Sequence, residues 1–488
     1  MLSHKTSNRY LAILLSIVVA LLTVFAGSTS TVSAATKWKV SPTSKTIYTG
    51  KTVKIKSNKK VKWSVKKGKS IVKITKKGSK TATVKGLKAG KGYIKVKAGK
   101  KSKTIKITVK KPAAKPSKKP TATKGSVVKG ETKDGLMTLK IDLSKGKYDQ
   151  NEKVARVWIP IPTNDEYQTI TGFGYEANEA TTKKVTKDSA GNKILFLEWD
   201  KTVAPEKRTA KVHYHVSRYQ IASTKMVENG TVDKNQMKPY LSETETSGSL
   251  TSGVVKETAD KIVKDANAKT VLEKAKAIYE WEIHNLYRRE VTAGDLSFSG
   301  CGRGEVEMVL TKTRGGKCTD LNSTYVALCR SVGVPAREKF GLRLDNGSSG
   351  NANGNEHCRA EFYLPGTGWV EADPGDTLKE MLKKDGIEYG GTKTANDLSA
   401  SRLAELRSKY FGANDNNWVK LASGRDITLN PAQKGKCTSG TDWERCLLNK
   451  SGTLNNMGYV YGETNDQYMQ TYSPSDFGYT YKFYPDHK

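Results

Sequence analysis

Between Thr36 and Lys124 the chain has 31 Lys but no Asp, no Glu and no Arg. That absence localises the charge. The whole sequence carries Lys+Arg 84 against Asp+Glu 48, a formal net charge of +36, so the two signs nearly cancel outside this stretch. A module with no acid to pair its lysines points to a polyanion partner, here an anionic cell-wall polymer or a membrane surface. Nucleic acid fits poorly, because Arg is missing there and aromatic residues for base stacking are few. Cysteine is scarce as well, six in 488 residues with no C-x-x-C pair, which weighs against a zinc or iron–sulfur centre. No metal or cofactor is expected. Past Gly27 no apolar run is long enough to span a membrane.

What is present divides the chain. Lys5 and Arg9 precede the apolar run Leu11 to Gly27, and small residues follow at Val32, Ser33, Ala34 and Ala35. This reads as a signal peptide over residues 1–34 and implies a secreted, extracellular or cell-wall associated protein. In residues 36–110, V-S-P-T-S-K-T-I-Y-T-G-K-T-V-K-I-K, V-K-W-S-V and Y-I-K-V-K alternate apolar and polar side chains between Gly-rich turns. That period predicts a half-buried sheet with Val53, Ile55, Trp63, Val65, Ile94 and Val96 inside. Residues 111–124 are a Pro/Lys linker, extended and self-repelling. Residues 125–241 again read as strands, with Pro160 and Pro162 suiting an edge strand or a strand end. His213 and His215 share a strand face at ligand spacing, but no Cys, Asp or Glu is spaced to join them. From 251 to 432 helical periodicity appears, Leu272, Ala275, Tyr279, Ile283 and Leu286 marking one face. Residues 433–488 form an extension whose alternation Phe477, Tyr479, Tyr481 and Phe483 predicts a final strand.

The chemistry concentrates in R-G-G-K-C-T-D-L-N-S-T-Y-V-A-L-C-R-S-V-G-V-P-A-R-E, Arg314 to Glu338. Gly315 and Gly316 permit a tight turn, and Leu321, Tyr325, Leu328 and Val332 fall on one helical face. Cys318 then stands in the first helical turn, where unpaired N–H groups and the helix dipole favour thiolate. Asp320 suits stabilisation of that helix start. Downstream, E-H-C-R-A-E-F-Y-L-P-G-T-G-W-V-E-A-D-P-G-D predicts a hairpin with His357 at the open end of one arm and Asp373 at the other. Opposed residues share a face, so the two meet only if the loop has an odd length or a bulge intervenes. A helix-start Cys, a His and an Asp have the matching tasks of attack, proton transfer and imidazole orientation.

At G-G-K-C-T-D-L-N, H-C-R-A-E-F-Y-L-P-G-T-G-W-V and A-D-P-G-D the chain resembles the bacterial transglutaminase-like superfamily, with the G-C-G segment Gly300, Cys301, Gly302 upstream. Residues 82–90, A-T-V-K-G-L-K-A-G, resemble the bacterial Ig-like group 2 domain. The fold implied is multidomain, all-β plus α+β: an N-terminal Ig-like β-sandwich, a second β-sandwich, then a papain-like α+β core. The resemblance implies Cys318 as nucleophile, His357 as general base and acid, and Asp373 as its orienting partner. The activity implied is a secreted thiol acyltransferase acting through a thioester on amide bonds of protein or peptide substrates, by crosslinking or deamidation. A cysteine peptidase of the same fold is the alternative within enzymes; a non-catalytic cell-wall adhesion protein is the alternative outside them. The oxyanion falls to the Cys318 N–H and a second donor, for which Trp281 and Tyr287 are candidates. Cys437 and Cys446 read as a local disulfide, Cys301 with Cys358 as a second pairing, and Cys329 as inert packing.

Overall fold

The computed structural model describes residues 37–111, 124–289, 301–345, 352, 354–436, 446–469 and 477–486. The expected signal peptide, most of the expected linker and Cys437 lie outside the described residues. The chain divides into two compact units, Met1–Thr121 and Ala122–Lys488. No helix among the described residues is long and apolar enough to cross a membrane.

The first unit is a β-sandwich of two four-stranded sheets. One takes its strands in the order Val40–Ser41, Thr52–Ser57, Thr81–Gly86, Val72–Lys77, the other Ser44–Tyr48, Lys101–Lys110, Gly90–Ala98, Lys62–Lys67. Alternation places Ile55, Trp63, Val84, Ile94, Val96, Ile105 and Ile107 in the core, with Val53 and Val65 half-buried at its margin. Every described Lys of residues 37–111 is exposed. The period-two pattern thus serves two purposes: one face closes the core, the other spreads cations over the surface.

The second unit joins a sandwich to a mixed α+β core. Its five-stranded sheet runs Thr182–Lys187, Lys193–Trp199, Ala155–Ile161, Tyr461–Thr464, Gln467–Met469. The four-stranded partner sheet runs Gln168–Ala177, Thr209–Lys225, Ser126–Asp142, Tyr479–Pro485. Residues of the C-terminal extension therefore complete both sheets. Pro160 is the penultimate residue of Ala155–Ile161, the strand end expected of it, in a strand that lies inside the sheet. It is tolerated because pairing with Tyr461–Thr464 stops at Trp158, so that Pro160 faces a neighbour, Ile194, on one side alone. His215 hydrogen-bonds Asp486 at 2.8 Å.

In the core, helices α1 (Gly253–Asp265), α2 (Val271–Asn285), α3 (Val306–Met308), α4 (Cys318–Ser331), α5 (Pro374–Glu380) and α6 (Ala400–Tyr410) accompany an antiparallel sheet. Its strand order is Gly368–Ala372, Glu356–Leu364, Ala336–Arg343, Trp418–Ser423. Helix α4 is buried along its whole length except Ser331, which explains an apolar face flanked by small residues such as Ala327 and Cys329. Thr270 caps α2 in a reciprocal capping box with Glu273.

Candidate active site

Gly315 and Gly316 pair in parallel with Tyr287 and Arg288. Gly315 has φ +154°, and a Cβ there would collide with the Tyr287 carbonyl, so the strand contact that carries Cys318 to α4 demands glycine. Asp320 secures the other side of the turn. Its carboxylate accepts the N–H of Lys317 at 3.0 Å, of Gly304 at 2.8 Å and of Arg303 at 3.1 Å, tying the residues that follow Gly302 to the helix start. Burial raises its pKa to about 6.

The hairpin solves the parity problem. Leu364 opposes Gly368, leaving the three-residue loop 365–367, and Ala360 opposes Ala372. An odd loop keeps His357 and the position after Ala372 on one face. Asp373 itself leaves the strand to become the N-cap of α5, its side chain accepting the Asp376 N–H. His357 Nε2 meets Asp373 Oδ2 at 2.8 Å and Asp376 Oδ2 at 3.3 Å. Cys318 is 4% exposed, His357 3% and Asp373 0%.

With Nε2 engaged by carboxylates, Nδ1 is the nitrogen left to face the sulfur. The sulfur's environment is unusual. Hydrogen bonds from the thiols of Cys301 and Cys358, then from His357 with its charge, outweigh burial and hold the Cys318 thiol well below its ordinary value. Cys301 and Cys358 are correspondingly pushed up, Cys301 first by its hydrogen bond to Cys318 and Cys358 first by burial. At His357, burial and then Arg343 oppose the charged ring, but Asp376 and Asp373 together prevail and raise its pKa. At Asp376 burial is outweighed by His357 and Arg343, which keep the carboxylate ionised. The arrangement favours a thiolate–imidazolium pair.

The expected Cys301–Cys358 disulfide is corrected, because both are free thiols. Each sulfur also has a second polar neighbour: Cys301 Sγ lies 3.0 Å from the Glu356 carbonyl, and Cys358 Sγ accepts from Asn322 Nδ2 at 3.8 Å. Cys446 is disulfide-bonded. Cys329 is a buried free thiol whose pKa burial pushes well up.

Four supporting residues, Asn322, Arg343, Asp376 and Arg288, are absent from the sequence-based site. Asn322, one helical turn after Cys318, donates to Asp373 Oδ1 at 3.2 Å and to the Cys358 carbonyl at 2.8 Å; the i, i+4 spacing from Cys318 was its signal. Arg343 grips Asp376 through contacts at 2.6 and 2.7 Å, and neither residue had a pattern to mark it beyond the second acid of D-P-G-D. Trp281 lies under Arg314 and Tyr287 packs edge-on against Tyr389; the side chain of that strand which hydrogen-bonds the sulfur is Arg288. His357, Asp373 and Asp376 place donor atoms within 4.8 Å of one another, as a metal ion would need. A cation there would have to displace the Arg343 guanidinium from Asp376.

A family model described as the transglutaminase-like superfamily matches residues 256–374, which contain Cys318, His357 and Asp373. An uncharacterized protein of Haemophilus influenzae strain Rd is 33% identical over 357 residues, 67% of this chain and 85% of that protein. Among solved structures, a Cytophaga hutchinsonii protein described as a candidate cysteine protease aligns with TM-score 0.38 and 14% identity over 74% of this chain and 100% of its own. The periplasmic domain of TgpA from Pseudomonas aeruginosa aligns with TM-score 0.27 and 13% identity over 54% of this chain and 96% of its own. With the family model seated on the core and the Haemophilus relative matched over most of its length, this chain belongs to the transglutaminase-like superfamily.

Proposed function

We propose that the protein is a secreted thiol acyltransferase working at the cell surface on amide bonds of protein or peptide substrates. The observation that carries this reading is one contact set: a sulfur held toward thiolate beside an imidazole whose Nε2 is fixed by Asp373 at 2.8 Å. The Cys318 thiolate adds to the amide carbon, and the oxyanion sits by the Cys318 N–H at the helix start. His357 passes its Nδ1 proton to the amine nitrogen, the C–N bond breaks, and a thioester remains. An acceptor amine then gives its proton to His357 and attacks the thioester, expelling the thiolate with a new amide formed. Water as acceptor yields a carboxylate instead, which is deamidation or, on a backbone amide, the cysteine-peptidase reading.

Two measurements separate these outcomes. A neutral thiol alkylator near pH 7 should label Cys318 far faster than the other free thiols; equal, slow labelling of all four would favour a non-catalytic adhesion protein. A glutamine-containing peptide offered with a fluorescent amine should gain covalent fluorescence if an amine is the acceptor, and only ammonia or new termini if water is.

The first unit supplies retention in this reading. Its exposed lysines suit an anionic wall polymer or membrane surface, with binding weakened by salt as exposed charges are screened. Co-sedimentation with phosphatidylserine vesicles or immobilised polyphosphate, at low and high salt, tests it; retention indifferent to salt would count against it.

A further inference from the structure

Two half-buried cations near the site, Arg288 and Lys379, make no ion pair among the described residues. Arg288 pairs through its backbone with Gly316, two residues before Cys318, and its half-buried side chain hydrogen-bonds the Cys318 sulfur. Among the described residues no carboxylate lies within 4.0 Å of its guanidinium. Lys379 stands on α5 three residues after Asp376, also half-buried. Among the described residues its ammonium has neither a hydrogen bond nor an ion pair, and burial first, then Arg343 and Arg288, disfavour its charge against the pull of Asp376. The acids nearby are already engaged, Asp376 by Arg343 and His357, and Asp373 by His357, Asn322 and the Asp376 N–H.

This imbalance has a consequence during turnover. While Cys318 is a thiolate, Arg288 is compensated by it. Once the sulfur is acylated its charge is gone, and Arg288 beside it is left with the more distant charges of Asp376 and Asp320, as Lys379 is with that of Asp376. Partly desolvated charge left unpaired is costly, and a carboxylate arriving with the substrate removes that cost through charge-assisted hydrogen bonds. A lysine or an amide in the same position would not.

We propose that Arg288 and Lys379 form an anion subsite beside Cys318, which selects acyl donors carrying a free carboxylate a few bonds from the reacting carbonyl. The substrate class is then acidic peptide, with the amide either on an acidic residue's own side chain or next to such a residue. This rests on Cys318 being the nucleophile. Arg288 and Lys379 determine specificity and hold no proton in the acyl transfer.

Iodoacetate and iodoacetamide differ by a carboxylate against a neutral amide at the same reacting carbon, so the ratio of their Cys318 alkylation rates reads the subsite directly. The full-length protein should show a ratio well above that of its unfolded chain. Arg288→Gln should lower the ratio about tenfold, the worth of one charge-assisted hydrogen bond, and Arg288→Lys should restore part of it. Lys379→Gln, which does not touch the sulfur, should lower it severalfold and guards against Arg288→Gln having merely disturbed the site. Brisk iodoacetamide labelling with a ratio unmoved by both Gln variants overturns the subsite and leaves the nucleophile standing. No selective labelling of Cys318 by either reagent overturns both.

Discussion

Cys318 owes its depressed pKa first to the neighbouring thiol of Cys301, and only then to Cys358 and His357. This ordering makes a directional prediction. For a group whose folded pKa is lowered, the ionised form persists as pH falls until that lower value is reached. Alkylation of Cys318 by iodoacetamide should therefore remain fast through neutrality, where a thiol at the ordinary value of 9.0 has already lost its reactivity. Cys301→Ala removes the largest lowering influence, so the acid limb of the rate profile should move to higher pH; an unmoved limb would refute the thiol contact. Glu282 presents the opposite case. It is fully buried on α2, both its oxygens lack a hydrogen-bond partner among the described residues, and burial raises its pKa well above 4.5. The folded state then binds the extra proton, and stability falls as pH rises from 4.5 toward the folded value. Glu282→Met should stabilise the protein at neutral pH by about 1–3 kcal/mol, the worth of an unsatisfied buried polar group, and flatten the pH dependence of thermal unfolding in that window.

The core sheet shows which parts of an element can be read from one strand and which cannot. Strand Ala336–Arg343 carries Lys339, whose ammonium reaches Glu361 at 2.7 Å on the next strand and Glu371 on the one after. All three are buried. At Glu361 burial is outweighed by Lys339 and Arg337, which bring the pKa down to about 2, so its stabilising share is complete above 4.5 and is lost as pH falls through about 2. Lys339→Met should cost about 3–5 kcal/mol by stranding a buried carboxylate, since among the described residues the side-chain hydrogen bond left to Glu371 is the Asn414 amide at 3.3 Å. Chemical denaturation checks it, and a loss below 1 kcal/mol would mean the cluster is not closed to water. Helix α4 and the His357 hairpin were legible because their signals are local: a glycine pair, a heptad-like face, and an alternating arm before Pro-Gly-Thr-Gly. Even the odd loop was stated as a requirement that Leu364↔Gly368 pairing then met. Arg343, Asp376 and Arg288 escaped because each acts across a register or a packing contact, and a lone Arg on a strand says nothing about what it faces. The Cys301–Cys358 pairing failed because sequence does not fix connectivity: both residues come to the site, but as free thiols beside Cys318.

The C-terminal residues govern the second unit as a whole. Strand Tyr479–Pro485 pairs with Ser126–Asp142 from Tyr479↔Ile141 to Pro485↔Gly135, closing the edge of the four-stranded sheet. Phe477, Tyr479, Tyr481 and Phe483 turn inward among Met137, Leu139 and Ile141, and the same cluster includes Leu342, Val419 and Leu421 of the core sheet. The sandwich and the sheet that carries His357 are thereby parts of one apolar interior, with the Tyr479 hydroxyl donating to Glu356 at 3.4 Å. Four aromatic side chains at roughly 1.5–3 kcal/mol each amount to something on the order of the 5–15 kcal/mol net stability of a typical domain. A chain ending at Met469 should therefore lose cooperative unfolding of the second unit and, with it, selective alkylation of Cys318, although the truncation lies more than a hundred residues beyond Cys318. Near-ultraviolet circular dichroism during heating, read beside the labelling rate, makes the comparison. If the truncated chain kept a sharp transition and a fast Cys318, the sandwich would be a dispensable neighbour of the core. A joint loss would mean that the order in which the core acquires a reactive sulfur waits on the last strand of the chain.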